Sequence, residues 1–308
     1  MSQTLCLNRL AKLRNAKKLV LAGLVSVCCA AMAQSELAAG DTVQSMRDKY
    51  SAITPQLKQN QFSRALVLES EETESQLRGD VYAVIDYPLS VVNAGLNNPE
   101  HWCDVMLLHI NTKYCHAMVA PEVTTLRMYL GKKTPEELSH TTRLNFNYKP
   151  VVANAELMQI SLTAADGPLG TSDYHIVLSA LALPKGKTFL HLTYSYATSL
   201  TGRLAMQTYL ATLAHNKVGF TKIAQPANGQ SSYIGGVRGL MERNTMRYYL
   251  AIDSYLATAN APPEQQLEKR LQHWYASAER YSRQLHDVER NDYLEMKRAE
   301  YTRQQEVH

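Results

Sequence analysis

Residues 79–106 constrain the fold of this chain more than any other stretch, because a strand pattern runs directly into a helix pattern. They read GDVYAVIDYPLSVVNAGLNNPEHWCDVM. Alternation of apolar residues over Val81 to Asp86 predicts a strand. Pro88 suits a first helical position, where the missing N–H has no partner to lose. The apolar residues that follow at helical spacing are Leu89, Val92 and Leu96.

Asn97-Asn98-Pro99 is expected to end that helix, and Trp102 follows where an aromatic side chain closes one end of a sheet that grips a helix. This order resembles the opening of the START/SRPBCC superfamily, whose helix-grip fold is shared with Bet v 1-like proteins. The resemblance covers roughly residues 63–259 and implies an α+β fold, an antiparallel sheet wrapped on a long C-terminal helix. Because many functions share this fold, it predicts architecture before activity.

The first 33 residues have the pattern of a cleaved export signal. Basic side chains precede an apolar run from Leu19 to Val27, and Ala31-Met32-Ala33 supplies a cleavage site. The run is far shorter than the roughly 20 residues that a membrane span needs. Cys28 and Cys29 leave a lipoprotein signal as an alternative, although neither follows the small residue that such a site requires. We therefore predict a periplasmic or otherwise extracytoplasmic protein, cleaved after Ala33.

Removing that segment changes the charge balance. The full chain has 32 basic and 28 acidic residues, and residues 1–33 contain five basic residues and no acidic one. The remaining 27 basic and 28 acidic residues leave the mature chain almost neutral, so the sequence pI of about 8.7 reflects mainly the signal. The balance implies no basic surface, and we expect no nucleic-acid partner.

Cysteine usage fits an exported protein. Cys103 and Cys115 are the two cysteines that remain after residue 33, and in an oxidising compartment they are candidates for a disulfide. Such a bond would stabilise the fold by roughly 2 to 4 kcal/mol. The nearby His101, His109 and His116 leave a metal site as an alternative. No second cluster of cysteine and histidine accompanies them in the sequence, and we expect no metal.

Apolar alternation predicts four strands after Cys115: Thr124 to Leu130, Glu156 to Thr163, Tyr174 to Leu183 and Thr188 to Tyr196. One face of these strands has no charged residue and needs an apolar partner, which we assign to a helix over Val237 to Ala259. The resemblance implies a ligand cavity between the two, whereas a filled core is the alternative that alternation cannot distinguish. The candidate lining residues are Leu126, Met128, Ile160, Leu178, Ala180, Leu192, Tyr194, Tyr248 and Ile252.

Arg243 and Arg247 are four residues apart on the predicted gripping helix. They are candidates for holding a phosphate or carboxylate headgroup at the cavity mouth while an apolar tail lies within. The alternative is a solvated helix face with ion pairs, in which Glu242 pairs with Arg238.

The predicted organisation has four segments: a signal peptide (1–33), a helical lead (34–62), a START-like helix-grip domain (63–260) and a charged amphipathic extension (261–308). Within the domain, Ser63 to Glu72 is the expected first strand and Gly79-Asp80 the turn into the next. Residues 197–236 form an insertion, with a helix over 200–214 and a loop over 225–236 as a candidate lid.

The extension carries an apolar stripe at alternating spacings of four and three residues. Its members are Leu267, Leu271, Trp274, Ala278, Tyr281, Leu285 and Val288. An unbroken helix over 264–306 would be roughly 65 Å long. Three outcomes are open: the helix folds back on the domain, self-associates as a coiled coil, or docks on an envelope protein partner.

No nucleophile elbow, P-loop, dinucleotide fingerprint or HExxH motif occurs in the sequence. Enzymes of the resembled superfamily instead place isolated polar side chains in the cavity. The candidates for such a role are Asp86, His109, Asn111, His175 and His191, each with a structural role as the simpler interpretation. Asp86 is placed to cap the following helix, and His191 is expected on the opposite face of its strand from Leu190 and Leu192.

The resemblance implies that the protein binds or carries a hydrophobic ligand such as a lipid, without a cofactor. A cyclase- or hydrolase-type enzyme of the same superfamily is the first alternative, favoured by a polar pair that faces the cavity. An envelope structural or assembly protein that docks through its C-terminal helix is the second, favoured by a solid core.

Overall fold

An antiparallel sheet of eight strands frames the protein. The computed structural model describes residues 41–199, 202–204, 206–208, 216–224 and 232–306. The strands are β1 (Leu66–Glu72), β2 (Gln76–Ile85), β3 (Thr112–Val119), β4 (Thr124–Leu130), β5 (Thr142–Ala153), β6 (Leu157–Asp166), β7 (Thr171–Leu183) and β8 (Lys187–Thr198). Their order across the sheet is β1-β2-β8-β7-β6-β5-β4-β3. The last strand therefore pairs with the first hairpin, and the strands between follow in sequence as a meander.

Helices cover both faces of this sheet. They are α1 (Val43–Lys58), α2 (Leu89–Leu96), α3 (Pro99–Leu108), α4 (Gly236–Ala257), α5 (Pro263–Glu279), α6 (Ser282–Leu285) and α7 (Arg290–Glu306). The short strands β9 (Lys222–Ala224) and β10 (Ser232–Tyr233) pair separately from the large sheet. Among the described residues, no helix combines the length and the apolar character that crossing a membrane requires.

The predicted order of strand, proline, helix and tryptophan is confirmed between β2 and α3. Pro88 caps α2 from the position before its first residue, and Asn97 ends that helix. Pro99 then opens α3. Trp102 is buried, and its Nε1 donates to Leu96 O at 2.7 Å, which ties α3 to the end of α2.

The turn predicted at Gly79-Asp80 is wrong, because both residues lie inside β2 and the chain reverses over residues 73–75. Gly79 faces α4, where an added Cβ would lie 3.1 Å from Thr245 Cβ and still closer to its hydroxyl. The missing side chain therefore lets the helix approach the sheet. Asp80 points to the opposite face, where it meets His191.

The helix predicted over Val237 to Ala259 is α4, which packs against the first hairpin and β8. The antiparallel sheet wrapped on this helix is the helix-grip α+β fold that the resemblance implied. The predicted apolar stripe understates the burial of α4, since Glu242 and Thr245 are buried as completely as Met241. The sheet, the first hairpin and the C-terminal helices together surround α4, so even its polar residues are enclosed.

The C-terminal extension folds back on the domain. Leu271, Trp274 and Leu285 of the apolar stripe are buried in the same core as α4. The extension is helical, as predicted, but it is not one unbroken helix, because the helical segments end at Glu279 and Leu285 and resume only at Arg290. The chain's own core thus covers the stripe, which corresponds to the first of the three predicted outcomes.

The outer face of the sheet has a second, smaller core under α1. Met46, Ile53 and Leu57 of α1 pack there against Tyr82 and Phe189 of the sheet. A capping box at Thr42 and Ser45 fixes the start of α1.

Candidate functional site

The predicted cavity candidates all lie in the core between the inner sheet face and α4. Six of them keep no accessible surface: Leu126, Met128, Ile160, Leu178, Ala180 and Leu192 are each 0% exposed. A void wide enough for a water molecule would leave its lining atoms accessible. These six, and the nearly inaccessible Ile252, therefore line closely packed core in this structure. A ligand role for them stays a prediction, and it requires the core to open.

The remaining two candidates belong to a cluster of aromatic rings at the end of the grip where β6 leads into β7. We call Tyr174, Tyr194, Tyr196 and Tyr248 the tyrosine cluster. The ring of Tyr194 lies 5.1 Å from that of Tyr248, and the ring of Tyr174 lies 5.1 Å from that of Tyr196. These separations are typical of favourable aromatic pairs. Tyr194 and Tyr248 each remain 6% exposed, in contrast to the aliphatic centre of the sheet.

The four hydroxyls of the tyrosine cluster differ in their partners. Tyr174 Oη lies 2.6 Å from Thr171 Oγ1, and Tyr196 Oη lies 3.8 Å from Met206 Sδ. Among the described residues, the hydroxyls of Tyr194 and Tyr248 have no hydrogen-bond partner. Burial raises the pKa of both phenols above the usual value of 10. At neutral pH the core therefore presents two uncharged hydroxyls, each able to donate and to accept.

His109 extends the aromatic array from Tyr248 to the end of α3. Its ring stacks on that of Tyr248 at 4.8 Å. Its Nδ1 accepts from the Asn111 backbone N–H at 3.2 Å, and its buried Nε2 has no partner within the described part of the chain. Burial, reinforced by the positive charges of Arg247 and Lys297, holds the pKa of His109 well below 6.5. The imidazole is therefore neutral, and the bond at Nδ1 places its proton on Nε2.

Arg243 and Arg247 are both buried, at 2% and 1% exposure. The interpretation of this segment as a solvated helix face is therefore wrong. Arg247 Nη2 pairs with Asp287 Oδ2 at 2.6 Å, and its Nη1 donates to Asn244 Oδ1 at 3.1 Å. A headgroup role for the two arginines stays a prediction, in which a ligand would share Arg247 with Asp287.

Glu242 is engaged by backbone and hydroxyl groups rather than by the predicted direct pair with Arg238. Ser70 Oγ lies between the two side chains, accepting from Arg238 Nε at 2.9 Å and donating to Glu242 Oε1 at 2.6 Å. The carboxylate also accepts the backbone N–H groups of Phe220 and Thr221, at 2.5 and 2.9 Å. Glu242 thereby fixes the segment before β9 against α4.

Two other polar candidates lie at the surface. Asp86 does not cap α2; it pairs with Lys187 at 2.5 Å, and its side chain is 81% exposed. His175 pairs with Asp173 at 2.9 Å, with a side chain 39% exposed.

The last two candidates have structural contacts. Asn111 Nδ2 donates to Gly131 O at 2.7 Å. His191 lies on the outer face, as predicted, between the carboxylates of Asp41 and Asp80. Neither residue faces the tyrosine cluster.

Cys103 and Cys115 form the predicted disulfide, which ties α3 to β3. Both cysteines are buried. Of the neighbouring histidines, His101 contacts Gly95 O through Nδ1 at 2.9 Å. Within the described part of the chain, no group of three or more histidine, cysteine and acidic side chains is arranged to hold a metal ion.

Tyr174 and Tyr196 of the tyrosine cluster are not among the predicted cavity residues. The pattern predicts Tyr174 as the start of one strand and Tyr196 as the end of another, and both strands extend further than predicted. Their position at strand ends on the inner face was the available signal, because strand ends surround the mouth of a gripping sheet. The predicted helix over 200–214 and the loop over 225–236 lie largely outside the described residues, although 202–204 and 206–208 are helical.

No known protein family and no curated protein matches the sequence. Three solved structures with a START/SRPBCC-type fold resemble the chain. The ZhuI aromatase/cyclase from Streptomyces sp. R1128 is 11% identical, with 67% of this chain and 94% of that chain covered and a TM-score of 0.32. Human STARD10 is 11% identical, with 59% and 79% covered and a TM-score of 0.35. Human StAR-related lipid transfer protein 5 is 10% identical, with 70% and 96% covered and a TM-score of 0.34.

The architecture rests on the chain's own topology: a hairpin, two helices, a meander that returns to the hairpin, and a long helix held against the inner face. By that topology the chain has the helix-grip α+β fold.

Proposed function

We propose that the protein binds or carries a hydrophobic small molecule, such as a lipid, between the inner sheet face and α4. The observation that carries this proposal is the pair of hydroxyls on Tyr194 and Tyr248, which have no partner among the described residues. A ligand whose polar group meets these hydroxyls would form hydrogen bonds worth roughly 0.5 to 1.5 kcal/mol each, while its apolar body contacts the rings.

The exposure pattern favours the tyrosine cluster over the centre of the sheet as the binding region. Ala164 is directly opposite Tyr174 in the β6–β7 pair and remains 5% exposed. Ala180 lies further along the same pair of strands, opposite Met158, and is 0% exposed. A ligand is therefore expected beside Ala164 rather than beside Ala180.

These two alanines give a matched test with an apolar fluorescent probe. Ala164→Leu is expected to weaken probe binding with little change in melting temperature, because the added methyl groups occupy space that the ligand would use. Ala180→Leu is expected to destabilise the protein by about 1 to 3 kcal/mol, because the same atoms enter a filled core. A parent protein that binds no probe, or an Ala164→Leu variant that binds it unchanged, would contradict the proposal.

An enzyme of cyclase or hydrolase type is a second candidate, because Tyr194 of β8 and Tyr248 of α4 bring two polar groups to one place in the core. Neutral phenols can donate or accept a proton in general acid–base catalysis. Mass spectrometry of the ligand before and after incubation with the protein separates the two candidates. An unchanged ligand supports carriage, and a chemically altered one supports catalysis.

We also propose that the protein is exported and cleaved after Ala33. Residues 1–33 lie outside the described residues, so the support comes from the sequence pattern and from the Cys103–Cys115 disulfide. Disulfides persist mainly in oxidising compartments. N-terminal sequencing of protein from its native host should begin at Gln34, and an N-terminus at Met1 would contradict export by cleavage.

A further inference from the structure

Asp287 lies in the segment between α6 and α7, and its buried carboxylate contacts three cationic side chains from other parts of the chain. Asp287 pairs with Arg247 and with Lys133, each at 2.6 Å, and Lys217 Nζ lies 3.5 Å from Asp287 Oδ1. We call these four residues the Asp287 cluster. Three positive charges face one negative charge, so the cluster carries a net charge of +2.

The cluster is closed on one side and open on the other. The side chains of Asp287 and Arg247 are 2% and 1% exposed. Those of Lys133 and Lys217 are 33% and 29% exposed. The excess positive charge therefore lies on the two lysines that solvent reaches, with a buried arginine behind them.

Neighbouring buried groups add positive charge rather than neutralise it. Lys113 and Lys297 are both fully buried and share the single carboxylate of Glu300, at 2.9 and 2.7 Å. Burial, reinforced by the positive charges of Arg247, Lys297 and Lys133, lowers the pKa of His109 against the opposing charge of Asp287 and keeps its imidazole neutral. Glu136, Asp292, Glu295 and Glu300 line a groove that also borders Lys133, whereas Lys217 is not among the residues that line that groove.

The cluster adjoins the proposed ligand region. Arg247 precedes Tyr248 on α4. His109 stacks on Tyr248, and the positive charge of Arg247 lowers the pKa of His109. Tyr174 near the start of β7 and Lys133 after the end of β4 lie at the same end of the sheet, so a hydrophobic molecule beside the tyrosine cluster can extend one end toward Lys133 and its partners in the Asp287 cluster.

Building on the proposed function, we infer that the hydrophobic ligand carries an anionic group, a carboxylate or a phosphate ester, bound by Lys133 and Lys217 of the Asp287 cluster. A single anionic oxygen group between the two ammonium groups offsets the excess charge that Asp287 leaves. Arg247 and Asp287 hold the two lysines in position from the buried side.

The test compares two probes of equal chain length, decyl phosphate and decanol, by calorimetry at pH 7. The parent is expected to bind decyl phosphate more tightly than decanol. Lys133→Gln/Lys217→Gln is expected to bind decyl phosphate about tenfold more weakly or worse, a loss of roughly 1.4 kcal/mol, with unchanged affinity for decanol. The control Lys132→Gln/Lys149→Gln makes the same change in net charge at two exposed lysines and should keep the preference.

Each contrary result has a separate meaning. Equal affinity of the parent for both probes, or a preference that survives in Lys133→Gln/Lys217→Gln, would overturn this inference and leave the proposed function standing. A fall in melting temperature with equal loss of both probes would show that the lysines serve only structure, which also overturns it. Inorganic phosphate that binds alone as tightly as decyl phosphate would assign a free-anion site instead. Failure of the parent to bind either amphiphile would overturn the proposed function and this inference together.

Discussion

Two histidines of this chain lie in opposite electrostatic surroundings. His109 is enclosed by cations and stays neutral. His191 contacts Asp41 Oδ2 through Nδ1 at 2.7 Å and Asp80 Oδ1 through Nε2 at 2.8 Å. Burial alone would lower the pKa of His191, but the hydrogen bonds and charges of the two aspartates outweigh it and raise that pKa above 6.5. Both ring nitrogens meet carboxylate oxygens, which accept hydrogen bonds, so this arrangement favours the imidazolium form that holds Asp41, just before α1, to the outer sheet face. We call His191, Asp41 and Asp80 the charged clasp.

The other groups around His191 support this charge state. Arg78 donates to both oxygens of Asp80, at 2.7 and 2.9 Å, and Thr193 Oγ1 donates to Asp80 Oδ1 at 2.7 Å. The ring of Tyr82 stacks on His191 at 4.3 Å. Burial opposes ionisation of Asp41, but the hydrogen bond and charge of His191 lower its pKa below the usual 3.8. The pKa of Asp80 is lowered too, since His191 and Arg78 overcome the effect of burial.

The charged clasp predicts that His191→Gln lowers the free energy of unfolding by an amount that depends on pH. Because the pKa of His191 is raised, the stability that its charge contributes is complete below pH 6.5 and is lost as the pH rises through the raised value. The contribution of the aspartates, whose pKa values are lowered, is present above pH 3.8 and is lost as the pH falls further. Urea unfolding at pH 5 should show the variant less stable by about 1.5 to 3 kcal/mol, with a smaller difference at pH 9. His109 is present in both the parent and the variant, so its titration affects both proteins equally. A stability difference between parent and variant that is the same at pH 5 and pH 9 would contradict the charged clasp.

At the scale of elements, strands with regular alternation were predictable and interrupted ones were not. The strand predicted over Thr124 to Leu130 is β4 with the same bounds. β5 was missed although its inner residues alternate, because its asparagines and Pro150 are unfavourable for strands. β3 was missed because an irregularity between Thr112 and Tyr114 breaks its register and buries Lys113.

The buried lysines explain why α7 belongs to the domain. Lys113 of β3 donates to Glu300 Oε1 and Thr134 O, and Lys297 donates to Glu300 Oε2 and to the carbonyls of His109 and Thr112. Burial lowers the pKa of Lys297 to about 8, although Glu300 counteracts it. Residues almost 190 positions apart thus depend on each other, which no local sequence pattern reveals.

Glu300→Gln tests this dependence. Removing the shared carboxylate leaves two buried ammonium groups without a counter-charge, which is expected to destabilise the protein by about 3 to 5 kcal/mol in urea unfolding. Glu295→Gln, at an exposed position of the same helix, is the control and should change stability by about 0.5 kcal/mol or less. Equal stabilities of the two variants would show that the network is dispensable.

Deleting residues 263–308 tests the role of the whole extension. The truncated chain is expected to lose cooperative thermal unfolding, because Leu271, Trp274 and Tyr293 complete the core around α3 and α4. Circular dichroism during heating measures this directly. A truncated protein that melts cooperatively near the temperature of the full chain would instead make the extension an accessory segment.

At the scale of the whole molecule, the sequence was sufficient for the architecture and insufficient for the site. The resemblance carried by residues 79–106 led to the helix-grip fold, since strand and helix periodicities are local. Packing density depends on residues that are distant in sequence. Alternation places both Leu178 and Tyr194 on the inner face, yet Leu178 is completely buried while Tyr194 keeps some accessible surface. The Asp287 cluster likewise joins side chains from α4, two loops and the extension, so only the folded chain brings it together.

We propose that a hydrophobic molecule occupies the space beside the tyrosine cluster. Native mass spectrometry of protein purified from its own compartment, with Ala164→Leu purified in parallel, is the direct test. The parent is expected to retain a small apolar molecule, and the variant is expected to be recovered without it. A parent recovered at the mass of the bare chain, or a variant that retains the same molecule in the same amount, would rule out this binding region.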